Sequence, residues 1–127
     1  MSLSDVNKGL SGVNPESGAS LSTANTWTKA QSSALVAVTS TSNHIATDSE
    51  LSNIFTHTLT EDTTLDNPTN LVAGTYYAWI FTQHASSAKT VALGNLFVAL
   101  DQAFVMNTTL SGKSVLTGLY DGTSILY

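Results

Sequence analysis

Charge is scarce in this chain: of 127 residues only 10% are Asp, Glu, Lys or Arg, with four lysines, no arginine and a net charge of −5. Phosphate recognition leans on arginine's planar fork, so a nucleic-acid-binding face is excluded, and with no cysteine, disulfides and thiolate zinc sites are excluded as well. No apolar run approaches the ~18 residues of a membrane span, so neither nucleic acid nor a membrane is an expected partner. Serine (17) and threonine (19) stand where charge is usually found. Threonine's β-branched side chain suits a pleated surface. A hydroxyl-rich surface short of Lys and Glu suits contact with other protein chains, the alternative being the solvated face of a monomer.

Residues 1–24 read as an extended arm. They are rich in Ser, Gly and Asn, and the isolated Leu3, Val6, Leu10, Val13 and Leu21 follow neither a helical nor an alternating period. Such a segment gains order by lying on something else, so these five are the expected contacts of an anchor or exchanged arm. The segment has no apolar stretch of signal-peptide type, which implies a protein made in a cytoplasm with no address of its own. Residues 25–127 then form the folded domain. Trp27, in NTWTKAQ, reads as an aromatic that pins the arm to that domain. Leu35–Thr39 and His44–Thr47 are expected as short strands around a Ser/Thr turn, with a short helix over 29–37 as the weaker alternative.

The stretch from Asp48 to Gln83 organises the rest. Over 53–60, Phe55, His57 and Leu59 alternate with Ile54, Thr56 and Thr58, and over 75–83 the bulky Tyr77, Trp79 and Phe81 alternate with Ala78 and Thr82. Both runs suit strands with one buried face. The intervening EDTTLDNPTN, with Asn67-Pro68, reads as a turn, so the two runs are expected to pair as a β-hairpin. Trp27, Phe55, Leu59, Tyr77, Trp79 and Phe81 are the expected core or subunit-interface residues. Beyond them, Gly94-Asn95, Asp101-Gln102, Ser111-Gly112 and Asp121-Gly122 punctuate short apolar runs, and Asp121-Gly122 is the clearest signal for a two-residue type I′ hairpin turn. Eight or nine short strands with frequent turns predict an all-β fold, a small antiparallel β-sandwich or barrel-like domain behind an extended N-terminal arm.

Chemistry is hard to find in the residues. Glu61, Asp62 and Asp66 cluster without the glycine or the ligand offsets of a calcium loop and read as a solvated turn. His44, His57 and His84 fall on different elements with no metal-ligand spacing. No GxSxG elbow is present. Tyr76, Tyr77, Trp79 and Phe81 make a sugar platform only if their face is exposed; core or interface is favoured. No catalytic residue, metal or cofactor is therefore expected, and the chain is not read as an enzyme.

Three pieces carry a family resemblance: NTWTKAQ; DSELSNIFTHTLTEDTTLDNPTNLVAG, with its Asn-Phe strand, "TL" repeat and Asn-Pro-Thr-Asn before glycine; and IFTQ with the closing LYDGT. In this order they resemble a module of tailed-bacteriophage structural proteins, over about 100 residues of the chain. The resemblance implies a β-sandwich that trimerises and a virion location. Within that family the reading is a capsid decoration protein, of cement or head-fibre-base type, bound non-covalently to the major capsid protein or neighbouring virion proteins. The alternative is a small tail or fibre subunit that contacts host surface glycans. The segment after Gln83, HASSAKTVALGNLFVAL, is poorer in glycine than the module's usual pattern, and the module makes up nearly the whole chain. Both departures favour an accessory protein that docks by its arm.

Overall fold

Ten short strands and no helix make up residues 28–127, the part described by this computed structural model. Trp27 and the arm residues Leu3, Val6, Leu10, Val13 and Leu21 lie outside the described residues. The strands belong to a unit running from Ser33 to Tyr127. They are β1 (Leu35–Ala37), β2 (Ser40–Thr41), β3 (His44–Ile45), β4 (Ile54–Thr58), β5 (Thr63–Leu65), β6 (Thr75–Thr82), β7 (Val91–Leu93), β8 (Phe97–Val98), β9 (Lys113–Tyr120) and β10 (Ile125–Leu126). A six-stranded sheet has the order β1-β4-β6-β9-β10-β8, and a four-stranded sheet the order β2-β3-β5-β7. The all-β expectation holds. Where a helix over 29–37 was the alternative, residues 29–34 are irregular and 35–37 form β1.

The path between the sheets differs from the expected hairpin. β1, β4 and β6 pair in parallel in the large sheet, and β3, β5 and β7 pair in parallel in the small one. The chain therefore coils, laying one strand in each sheet on every turn, and the coil continues through its corners. Leu59 N–H donates to Thr82 O, Asp66 N–H to Ile45 O and Gly94 N–H to Leu65 O, at 2.8–2.9 Å. Parallel partners need a long crossover, and the stretch read as a turn supplies it by containing β5, whose Thr63 and Leu65 are buried. Antiparallel pairing is confined to the short β2–β3 hairpin and to the C-terminal part, where β9 runs back along β6 and β10 returns beside β9 before pairing in parallel with β8. The solenoid-like path departs from a simple antiparallel sandwich.

Alternation decides what is buried. Phe55, His57 and Leu59 face inward with Tyr77, Trp79 and Phe81, meeting Ile45 and Leu65 of the small sheet and Leu116, Phe97 and Ile125 of the large one. Trp79 is the hub, with ring centroids 6.4 Å from Phe55, 6.3 Å from Tyr77 and 5.1 Å, edge-on, from Phe97. Gly118 faces inward where a Cβ would lie 2.5 Å from Ile125 Cγ2, so the β9–β10 pairing requires glycine there.

Turn chemistry is also redistributed. The two-residue turn with φ > 0 at both central positions, the type I′ pattern, is Ser42-Asn43 between β2 and β3, with φ of 51° and 65°. At the β9–β10 corner only Gly122 has positive φ, and Asp121 N–H donates to Ser124 O. The tip is therefore Gly122-Thr123, the type II′ pattern, one residue later than expected. Residues 103–110, expected as a strand, run as irregular chain whose Phe104 packs 6.0 Å from Phe81, ring to ring.

Candidate interaction surface

The acidic residues hold loops. One Asp48 oxygen accepts from Glu50 N–H and Asn70 Nδ2 at 3.0 and 2.8 Å; Asp62 accepts from Thr90 N–H and Oγ1 at 2.8 and 3.0 Å; Asp121 accepts from Thr123 and Ser124 N–H at 2.8 and 2.7 Å. These bonds stabilise the ionised form, so all three carboxyls sit below their ordinary value: Asp48 chiefly through Asn70, Asp62 and Asp121 chiefly through backbone N–H groups. Asn67 does similar work in the DNPTN stretch. Its Oδ1 accepts from Leu96 N–H, and any Cβ at Gly94 would stand 2.3 Å from that oxygen.

Gln83, of the IFTQ piece, is buried and uses its whole amide. Oε1 accepts from His84 N–H (2.9 Å) and Lys89 N–H (2.8 Å), while Nε2 donates to Lys89 O (2.9 Å) and Asn107 O (3.1 Å). It thus ties the end of β6 to the 84–89 turn and to the irregular segment before β9. Sequence reading took it only as part of a resemblance; a polar residue closing the most apolar strand was the available signal.

The histidines stay apart. His44 Nδ1 lies 2.7 Å from an Asp66 oxygen on the surface, and His84 Nδ1 accepts from Ser86 N–H at 3.2 Å. His57 is buried, as its strand face predicts. Its Nδ1 lies 2.8 Å from Val38 O, an oxygen that can only accept, so Nδ1 carries the proton. The ring borders an open recess of about 340 Å³ whose other walls include Thr39, Ser40, Thr56 and Thr58. No hydrogen-bonded chain joins Ser, His and Asp, and no group of three or more His, Asp or Glu converges, among the described residues.

The expected core-or-interface residues Phe55, Leu59, Tyr77, Trp79 and Phe81 are all packed inside the chain, each at most 2% exposed. They leave no aromatic platform; of that run only Tyr76 is exposed, at 63%. What the large sheet presents outward is the alternate set. Leu35, Ile54, Ala78 and Thr117 stand side by side in one cross-strand row, and Ala37, Thr56, Ile80 and Val115 in the next. Tyr76, Leu119, Leu126 and Val98 form a third, and Thr58, Thr82 and Lys113 close the lower border. Lys113 is the one Lys, Asp or Glu on any strand among the described residues. The small sheet faces outward with Thr41, His44, Thr64 and Ala92, so its outer face is polar where that of the large sheet is apolar.

Comparison with family models, with curated proteins and with solved structures returns no match to this chain.

Proposed function

We propose that the chain is a bacteriophage virion structural protein, a capsid decoration protein of cement or head-fibre-base type that sits non-covalently on the capsid as a trimer. The observation that carries the reading is the distribution of charge. Strands free of Asp and Glu, with an apolar row set outward on the large sheet, suit a subunit that lives among other protein chains. The resemblance of the NTWTKAQ, DNPTN and LYDGT pieces to tailed-phage modules supplies the setting, while the coiled, largely parallel path of the two sheets is not the plain sandwich that the resemblance implies. In this reading residues 1–24 anchor the protein to the major capsid protein or to neighbouring virion proteins.

Copy number in purified virions tests the proposal. A decoration protein is present in hundreds of copies per particle by quantitative densitometry. A few copies would assign it instead to a tail or fibre, where exposed Tyr76 is the residue to test against host glycans. Absence from particles would overturn both.

A further inference from the structure

We infer that the outer face of the six-stranded sheet is the surface on which copies of this chain meet one another. The inference deepens the trimer reading by naming its interface, and it rests on that reading only for the number of copies.

Three properties of the face lead there. The first is size. Each of the three rows crosses four strands about 4.8 Å apart, a width of about 19 Å, and the rows together run about 20 Å along the strands, giving about 380 Å² in projection. Side-chain relief raises this towards the ~800 Å² that each partner of a standard interface contributes. The second is charge. Copies of a chain with net charge −5 repel, and the described Asp and Glu all lie in loops, so this face is where two copies approach with least repulsion. Apart from Lys113 at its lower border, a partner chosen by charge has nothing here to read, whereas a face of Ile, Leu, Val and Thr complements itself. The third is the edges. The sheet ends in β1 and β8, three and two residues long, too short to template edge-to-edge addition. Growth by strand addition is thereby discouraged, and the broad face remains.

The geometry accommodates three copies. Three sheets about 24 Å wide, set around a three-fold axis, each stand about 7 Å from that axis. Face-packed sheets meet about 10 Å apart, a half-spacing of about 5 Å, so ordinary side chains stop about 2 Å short of the axis and a side chain as long as that of Tyr76 is needed to fill the centre.

Light scattering on the whole chain after size exclusion tests the inference. The wild-type protein is expected near 40 kDa, three copies of the 13.3 kDa chain. Val115→Lys, at a position 57% exposed, is expected to shift it to 13.3 kDa with an unchanged circular dichroism spectrum. Ala92→Lys, on the outer face of the small sheet, is expected to leave the mass unchanged. A wild-type dimer split by Val115→Lys supports the face and corrects the copy number. A trimer that survives Val115→Lys overturns the face and leaves the trimer standing; a wild-type monomer at micromolar concentration overturns both. Should Val115→Lys fail to fold, Thr117→Cys, then the only thiol in the chain, decides by maleimide labelling. Reactivity lost on concentration supports the face, and reactivity independent of concentration overturns it.

Discussion

Replacing Gln83 by leucine tests whether one buried amide holds the C-terminal third of the fold in place. The side-chain volume is nearly conserved, so the change acts chiefly through hydrogen bonds. Four are lost, leaving Lys89 N–H, Lys89 C=O, His84 N–H and Asn107 C=O without their partner. A buried polar group left unpaired costs about 1–3 kcal/mol. Lys89 and His84 are only half-buried and Asn107 is exposed, so water takes over part of the loss, and the extra apolar contact of leucine offsets a little more. The net expectation is a destabilisation of roughly 3–5 kcal/mol, a large share of the ~5–15 kcal/mol of a typical domain. Urea unfolding followed by tryptophan emission measures it. With a slope of about 1.5–2 kcal/mol/M, the midpoint falls by roughly 2–3 M. Amide hydrogen exchange should show the loss of protection concentrated at 84–89 and 107–114. A change below about 1 kcal/mol would refute the reasoning, because the four groups would then be finding equivalent partners elsewhere.

Trp79→Ala empties the centre of the Phe55–Tyr77–Phe97 cluster and should cost roughly 3–5 kcal/mol in the same unfolding assay, with loss of near-ultraviolet dichroism. Gly118→Ala sets a methyl against Ile125 and the Leu126 carbonyl, and should cost about 1–3 kcal/mol by overpacking. Asp48, Asp62 and Asp121 have folded values below the ordinary value of an aspartate carboxyl, so the stability that they contribute is fully present above that ordinary value and fades as pH falls through the lowered folded values. Unfolding free energy should thus decline in acid, and Asp121→Asn should flatten that decline without reversing it. Deleting residues 1–24 should leave a folded domain by circular dichroism that no longer binds particles; normal occupancy on virions would refute the anchor.

Period-two alternation was legible from the sequence because it is local. Each residue's face follows from its neighbours along one strand, and so Phe55, His57, Leu59, Tyr77, Trp79 and Phe81 point inward as the pattern required. The all-β class and the scarcity of charge on strands were legible for the same reason. Pairing direction was not, since parallel and antiparallel partners bury the same side chains. The polar EDTTLD hid β5, whose buried Thr63 and Leu65 make up only one and a half periods, too few to register as a strand. Turn type also escaped: Ser42-Asn43 takes the double positive φ and Asp121-Gly122 does not, because strand register, set by packing at a distance, decides which residues fall at a tip. Gln83 illustrates the same division. Its place at the end of β6 is a matter of sequence, but its four partners lie up to 24 positions away, and only the folded chain brings them within reach.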